Sequence, residues 1–87
     1  MDATLQAQFE SAAQAATSLA KRPDNETMLR LYALFKQAKS GDATGNRPGM
    51  FDMVGRAKYD AWAALQGTSR ESAMQAYVDL VESLKAD

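Results

Sequence analysis

Residues 31–67 read LYALFKQAKSGDATGNRPGMFDMVGRAKYDAWAALQG, two helical patterns separated by a loop too long for a tight turn. Before the loop, Met28, Leu31, Tyr32, Leu34, Phe35 and Ala38 make a broad apolar face at helical spacing. Gly41 ends that helix because it tolerates a left-handed backbone. Gly41, Gly45, Pro48 and Gly49 then break any regular element up to Phe51. After the loop, Asp52 is placed to cap a new helix, in which Met53, Ala57, Ala61 and Leu65 recur every fourth residue. Val54 and Trp62 widen that face, and Gly67 closes it. Most helix–helix connections take about 2–8 residues. A longer one can run the length of a bundle and let two successive helices point the same way.

The same patterning continues outward in both directions. Leu5, Phe9, Ala12, Ala13, Ala16 and Leu19 form one stripe, predicting a first helix over about residues 4–20, stopped by Pro23. Lys21 and Arg22 would sit near its negative end. Asp24 is the expected N-cap of the second helix, with Glu26 near the positive end of its dipole. Thr68 followed by Glu71 fits a capping box for a fourth helix. Ala73, Tyr77, Val81 and Leu84 are its stripe, flanked by Met74, Val78 and Leu80. No stretch has the alternation of a useful strand, and no repeat or linker divides the chain. An all-α, four-helix domain over residues 1–87 is the expectation.

Composition narrows the chemistry. The chain has 87 residues and contains neither cysteine nor histidine. Disulfides, thiol nucleophiles and cysteine zinc sites are therefore excluded. The commonest general base and metal ligand is missing as well. Carboxylates and lysines could still act, but a binding protein is expected rather than an enzyme. Net charge is -1. It is spread unevenly: residues 30–58 carry six basic side chains against two acidic ones, while both flanks are acidic. That middle suits an anionic partner, or is ordinary scatter of surface charge. Nucleic acid is not expected, since the chain as a whole is not basic. With no basic–apolar leader pattern and no span of about 20 apolar residues, a soluble, cytoplasmic protein is expected.

Three clusters invite a functional reading. Tyr32 and Lys36 are four apart on one helical face, with Phe35 beside them. Such a tyrosine can line an apolar groove while its hydroxyl meets a polar group. The alternative is a core edge with a solvated lysine. Lys58 precedes Trp62 by one turn and lies near Arg56, which places cations beside an apolar wall or simply in water. Tyr77 is by default a core aromatic whose hydroxyl needs a partner. The glycine-rich loop carries neither the ligand spacing of an EF-hand nor the Gly-Lys-Ser/Thr ending of a P-loop.

On these residues the chain resembles the acyl-CoA-binding protein family, also called the diazepam-binding inhibitor family. The resemblance rests on an ordered series over nearly the whole length. PDNETMLRLY leads into KQA, GD and RPG, then D-x-x-G-x-AK-x-x-AW, then L-x-G-x-S before the last helix. It implies a four-helix bundle of up-down-down-up topology, consistent with the long loop. It implies reversible binding, buffering and intracellular transport of medium- to long-chain fatty acyl-CoA, with no cofactor and no catalysis. By the same resemblance Tyr32, Lys36 and Lys58 match phosphate-binding positions, and Tyr77 matches the tyrosine beside the adenine. Phe35 is another aromatic lining position. Ala13, Met28 and Leu29 match positions near the pantetheine and acyl groove. Departures are Phe35, often tyrosine in the family, Thr17 where a lysine is common, and Tyr59 where many relatives have tryptophan. Acyl-CoA-using enzymes are the implied delivery partners, with at most transient membrane contact and a monomeric protein. A helical protein-interaction module is the alternative, to be recognised by a large apolar face outside the ligand groove.

Overall fold

The computed structural model describes residues 4–85. Four helices follow in order: α1 (Leu5–Ala16), α2 (Asn25–Ser40), α3 (Met53–Ala63) and α4 (Arg70–Lys85). Each starts on a side-chain cap that satisfies an otherwise orphaned backbone N–H. The Ala7 N–H donates to Thr4 Oγ1 at 3.0 Å, Thr27 to Asp24 Oδ1 at 2.8 Å, and Gly55 to Asp52 Oδ1 at 2.9 Å. The fourth cap differs from expectation by one residue. Ser69 Oγ accepts from the Ser72 N–H at 3.0 Å, so Ser69 rather than Thr68 begins α4.

Helix α1 is also shorter than its apolar stripe. It ends at Ala16 because the chain tightens: the Thr17 and Ser18 N–H groups donate to the carbonyls of Gln14 and Ala15. The Thr17 hydroxyl donates to the Gln14 carbonyl at 2.7 Å. Such local bonds compete with helix continuation. Lys21 and Arg22 are thereby outside the helix. Gly41, after α2, has φ 79° and ψ −151°. That region is essentially closed to residues with a Cβ, so the stop is absolute.

The topology is up-down-down-up. Helix α4 lies between α1 and α2, and α3 packs on α2 alone. The core is built where α1, α2 and α4 meet. Phe9 stands 5.4 Å from Phe35 and 5.2 Å from Tyr77, ring centre to ring centre. Leu31, Leu34, Ala38, Ala73 and Val81 complete it. The expected α4 stripe is buried at Ala73, Tyr77 and Val81 and partly at Leu84. The α3 stripe is not: of that helix only Trp62 is buried, and Met53 and Val54 are 77% and 67% exposed. A helix with one neighbour cannot bury a broad apolar face.

α3 is held by the buried Trp62 and by polar bonds at and around its ends. Gln37 is fully buried. Its Nε2 donates to Asp42 Oδ1 and to the Thr68 carbonyl, both at 2.8 Å. Asp42 Oδ1 also accepts from the Gly67 N–H at 2.8 Å. Trp62 Nε1 donates to the Gly41 carbonyl at 2.8 Å. The end of α2 is thus tied to the α3–α4 connection. Farther along, Arg47 makes a bidentate pair with Asp60 at 2.9 and 2.7 Å, and the Tyr59 hydroxyl donates to the Gly45 carbonyl at 3.1 Å. These bonds lay the long loop against α3 and keep α2 and α3 side by side. Among the described residues, no helix is long and apolar enough to cross a membrane.

Candidate ligand-binding site

The shortest principal extent of the molecule is 15 Å. Two layers of helices with axes about 8–10 Å apart span about 13–15 Å between outer Cα atoms, so the bundle is two helices deep and its interior is the packed core. A slab this thin cannot enclose an elongated ligand, but it can hold one along a surface groove. Two of its surface grooves adjoin each other. One of about 640 Å³ runs between the N-terminal halves of α2 and α3. Another of about 560 Å³ runs between α2 and the end of α1, floored by Phe35 and Tyr77. Met28 and Tyr32 line both and are the ridge on which they meet.

Seven of the eight expected residues come together here. Met28, Leu29, Tyr32 and Lys58 line the first groove, and Ala13, Met28, Tyr32, Phe35 and Tyr77 the second. Their convergence follows from topology. Tyr32 and Phe35 project from successive turns of α2, which touches both α3 and α4. Lys58 Nζ lies 5.3 Å from the centre of the Tyr32 ring, so the cation stands over the junction of the grooves. Lys36 is the exception. It lines neither groove, and its Nζ sits 4.8 Å from the Trp62 ring centre. To reach a ligand beside Tyr32 it must leave that ring, at a cost of about 0.5–1 kcal/mol.

Tyr77 is a wall rather than an open platform. It is 5% exposed, stacked edge-on against Phe9, and burial raises its hydroxyl pKa above the ordinary tyrosine value. Phe35 serves two purposes, packing on Phe9 and Tyr77 while facing the second groove. Thr17 lines that groove too, with its hydroxyl already committed to the Gln14 carbonyl.

Arg22, Asn25, Met53, Val54 and Ala57 complete the first groove and were not among the expected ligand residues. A signal for them existed. If α2 and α3 run parallel, their N-termini are neighbours, and residues 22–25 must face residues 53–54. No acidic side chain lines this groove, while Arg22 and Lys58 do. The N-terminal dipoles of α2 and α3 also point to this edge, each already met by its capping carboxylate, Asp24 or Asp52, so the groove's positive charge comes from Arg22 and Lys58.

A thin four-helix slab with a branched apolar groove and a cationic lip is a surface-binding bundle. Residues 6–81 match the family described as Acyl CoA binding protein. The chain belongs to that family. An acyl-CoA-binding protein homolog of Manduca sexta is 50% identical over 84 residues, which is 95% of this chain and 93% of that one. The crystal structure of Oryza sativa Acyl-CoA-Binding Protein 2 superposes with a TM-score of 0.89 at 44% identity, over 93% of this chain and 90% of that one. The enoyl-CoA delta isomerase 2 of Rattus norvegicus is 52% identical over 93% of this chain, but the chain spans 21% of that enzyme's length.

Proposed function

We propose that the protein reversibly binds long-chain fatty acyl-CoA thioesters in the joined grooves and carries them in the cytoplasm, without chemical turnover. The observation that carries this reading is the division of the site. Met28, Leu29 and Phe35 provide apolar walls, and Arg22 and Lys58 provide cations on the same continuous surface. Membership of the acyl-CoA-binding protein family supports the choice of ligand.

Each part of such a ligand has a matching task. Removing an acyl chain from water contributes about 0.8 kcal/mol for each CH2 fully buried. Phosphates of the head group would meet Lys58, the Tyr32 hydroxyl and, once it leaves Trp62, Lys36. Phe35, with the largely buried Tyr77 behind it, would wall the adenine side of the second groove. Ala13 leaves room there because it is small. Sharing the contributions in this way makes the thioester the preferred ligand. A free fatty acid forfeits the phosphate contacts, and free CoA forfeits chain burial. Protein enzymes that use acyl-CoA are the corresponding delivery partners, and the protein would act as a monomer.

Calorimetric titration of delipidated protein with palmitoyl-CoA, palmitate and CoA tests the reading. One-to-one binding much tighter for the thioester than for either part is expected. Equal affinity for palmitate and palmitoyl-CoA would sink the proposal.

A further inference from the structure

Five methionines and no cysteine make thioethers the sulfur chemistry of this chain. A two-electron oxidant such as hydrogen peroxide therefore meets no thiol, and methionine is its target. The four methionines among the described residues stand in three different settings. Met74 is partly buried against the core. Met50 is 72% exposed and lines neither groove of the proposed site. Met28 and Met53 line the first groove from its two sides, one on α2 and one on the first turn of α3. They are 40% and 77% exposed, so peroxide reaches both. Met28 also lines the second groove, on the ridge where the two grooves meet.

Position gives this surface reaction a consequence. A thioether is apolar, flexible and adapts its shape to hydrocarbon. A sulfoxide is polar and chiral, and it accepts hydrogen bonds without donating any. Covered by an acyl chain, it would lose its water and gain no partner from the CH2 groups.

We propose that Met28 and Met53 are a paired oxidation site through which peroxide lowers the affinity of the groove for acyl chains. The inference rests on the proposed acyl-CoA ligand and adds a regulation of the same site. The sulfur lone pair attacks one peroxide oxygen; the O–O bond breaks, an S–O bond forms and water leaves. Sulfur is oxidised by two electrons and peroxide is reduced by two. A seated acyl chain covers both sulfurs, so the empty protein is oxidised faster than the loaded one. Dithiol-driven sulfoxide reductases reverse the step, and the oxygen leaves as water.

The test treats the full chain with hydrogen peroxide, with and without palmitoyl-CoA, and follows each methionine by peptide mass mapping. Sulfoxide is expected at Met28, Met50 and Met53 and not at Met74, with bound palmitoyl-CoA slowing Met28 and Met53 but not Met50. Calorimetry should then show palmitoyl-CoA affinity lower by about tenfold or more, with helical circular dichroism unchanged. Methionine sulfoxide reductases with dithiothreitol should restore it. Each variant is compared with its own untreated form: Met50→Leu should lose as much as the wild type, and Met28→Leu/Met53→Leu should lose nothing. Retained affinity in wild-type protein carrying both sulfoxides overturns the proposal. So does an equal loss in the Met28→Leu/Met53→Leu variant, an unslowed Met28 with ligand bound, or lost helical circular dichroism, which would place the effect in the core. The dye anilinonaphthalene sulfonate is titrated in parallel. Untreated protein that binds the dye but not palmitoyl-CoA would refute the proposed ligand, and the dye would still decide whether oxidation weakens the groove.

Discussion

Replacing Lys58 by methionine separates the two halves of the proposed site. Methionine keeps most of the aliphatic stem that borders Val54 and Ala57, and it deletes the charge over Tyr32. A hydrogen bond between a lysine and a phosphate is worth about 1.5–3 kcal/mol net. The ammonium already interacts with the Tyr32 ring in the free protein, and giving that up costs about 0.5–1 kcal/mol. The difference, about 0.5–2.5 kcal/mol, corresponds to roughly a 2- to 70-fold loss of affinity for palmitoyl-CoA. Calorimetry should also show a shallower salt dependence, because one charge contact is gone. The decisive control is a ligand with the chain but no phosphate, such as the palmitate thioester of pantetheine. Its affinity should be unchanged. An equal loss for both ligands would refute the assignment, because Lys58 would then be acting through groove shape rather than charge.

Three further outcomes follow from the scaffold. Gln37→Leu removes two donated bonds from a fully buried side chain and deprives the Thr68 carbonyl of its partner, so urea unfolding should show about 1–3 kcal/mol lost; a change under about 0.5 kcal/mol contradicts the tie. A Cβ on Gly55 would lie 2.7 Å from Asp52 Cγ, which no real contact permits, so Gly55→Ala must displace the cap. In thermal melts it should be close to neutral in the wild-type chain, yet stabilise an Asp52→Ala chain by about 0.5–1 kcal/mol, the helix-propensity gain without the lost cap. Acid sensitivity is the third. The Gly67 N–H and Gln37 hold the Asp42 carboxyl below the ordinary carboxylate range, and Arg47 does the same for Asp60. Their stabilisation is complete above the unfolded value of about 4 and is lost as pH falls through the lower folded values. The urea midpoint should be flat from neutral pH to about 5, then drop below about 4. Asp42→Asn should flatten the acid limb, and an unchanged limb would show that the carboxylate is not the linked group.

The helices were legible because their signals are local. Asp24 and Asp52 precede apolar periodicity, and each caps the helix it was expected to cap. The α4 stripe is buried at Ala73, Tyr77 and Val81 as the spacing demands, and partly at Leu84. The long loop also pointed to parallel α2 and α3. Errors arose where a local signal had two solutions. Thr68 and Ser69 are adjacent hydroxyls and either satisfies the capping rule in outline; only the position of the Gly67 turn, held by Asp42, selects Ser69. The stripe of α1 continues to Leu19, but the hydroxyl of Thr17 folds back on its own turn and ends the helix earlier. Gln37 could not be recognised as core from its type, since its burial depends on two acceptors outside its own helix, Asp42 just beyond it and Thr68 thirty-one residues along the chain.

The most informative disagreement concerns α3. Its periodic apolar face is that of a helix packed on two sides, yet the helix has a single neighbour. Trp62 anchors the C-terminal half against α2, and the Arg47–Asp60 and Tyr59 bonds hold the loop beside it. Polar fastening thus replaces the packing that the apolar residues of the N-terminal half would otherwise provide. Met53, Val54 and Ala57 remain free to line a groove instead of filling a core. A chain whose apolar pattern exceeds what its helices bury is storing surface for something else. Here the excess lies on one edge, between the starts of two parallel helices and beside two cations, so the occupant must be apolar along its length and anionic at its end. Fold and proposed function therefore have one origin, the long connection that makes α2 and α3 parallel. Shortening that connection to a tight turn would reverse α3, separate Arg22 from Met53, and abolish the groove while leaving the α1–α2–α4 core residues in place.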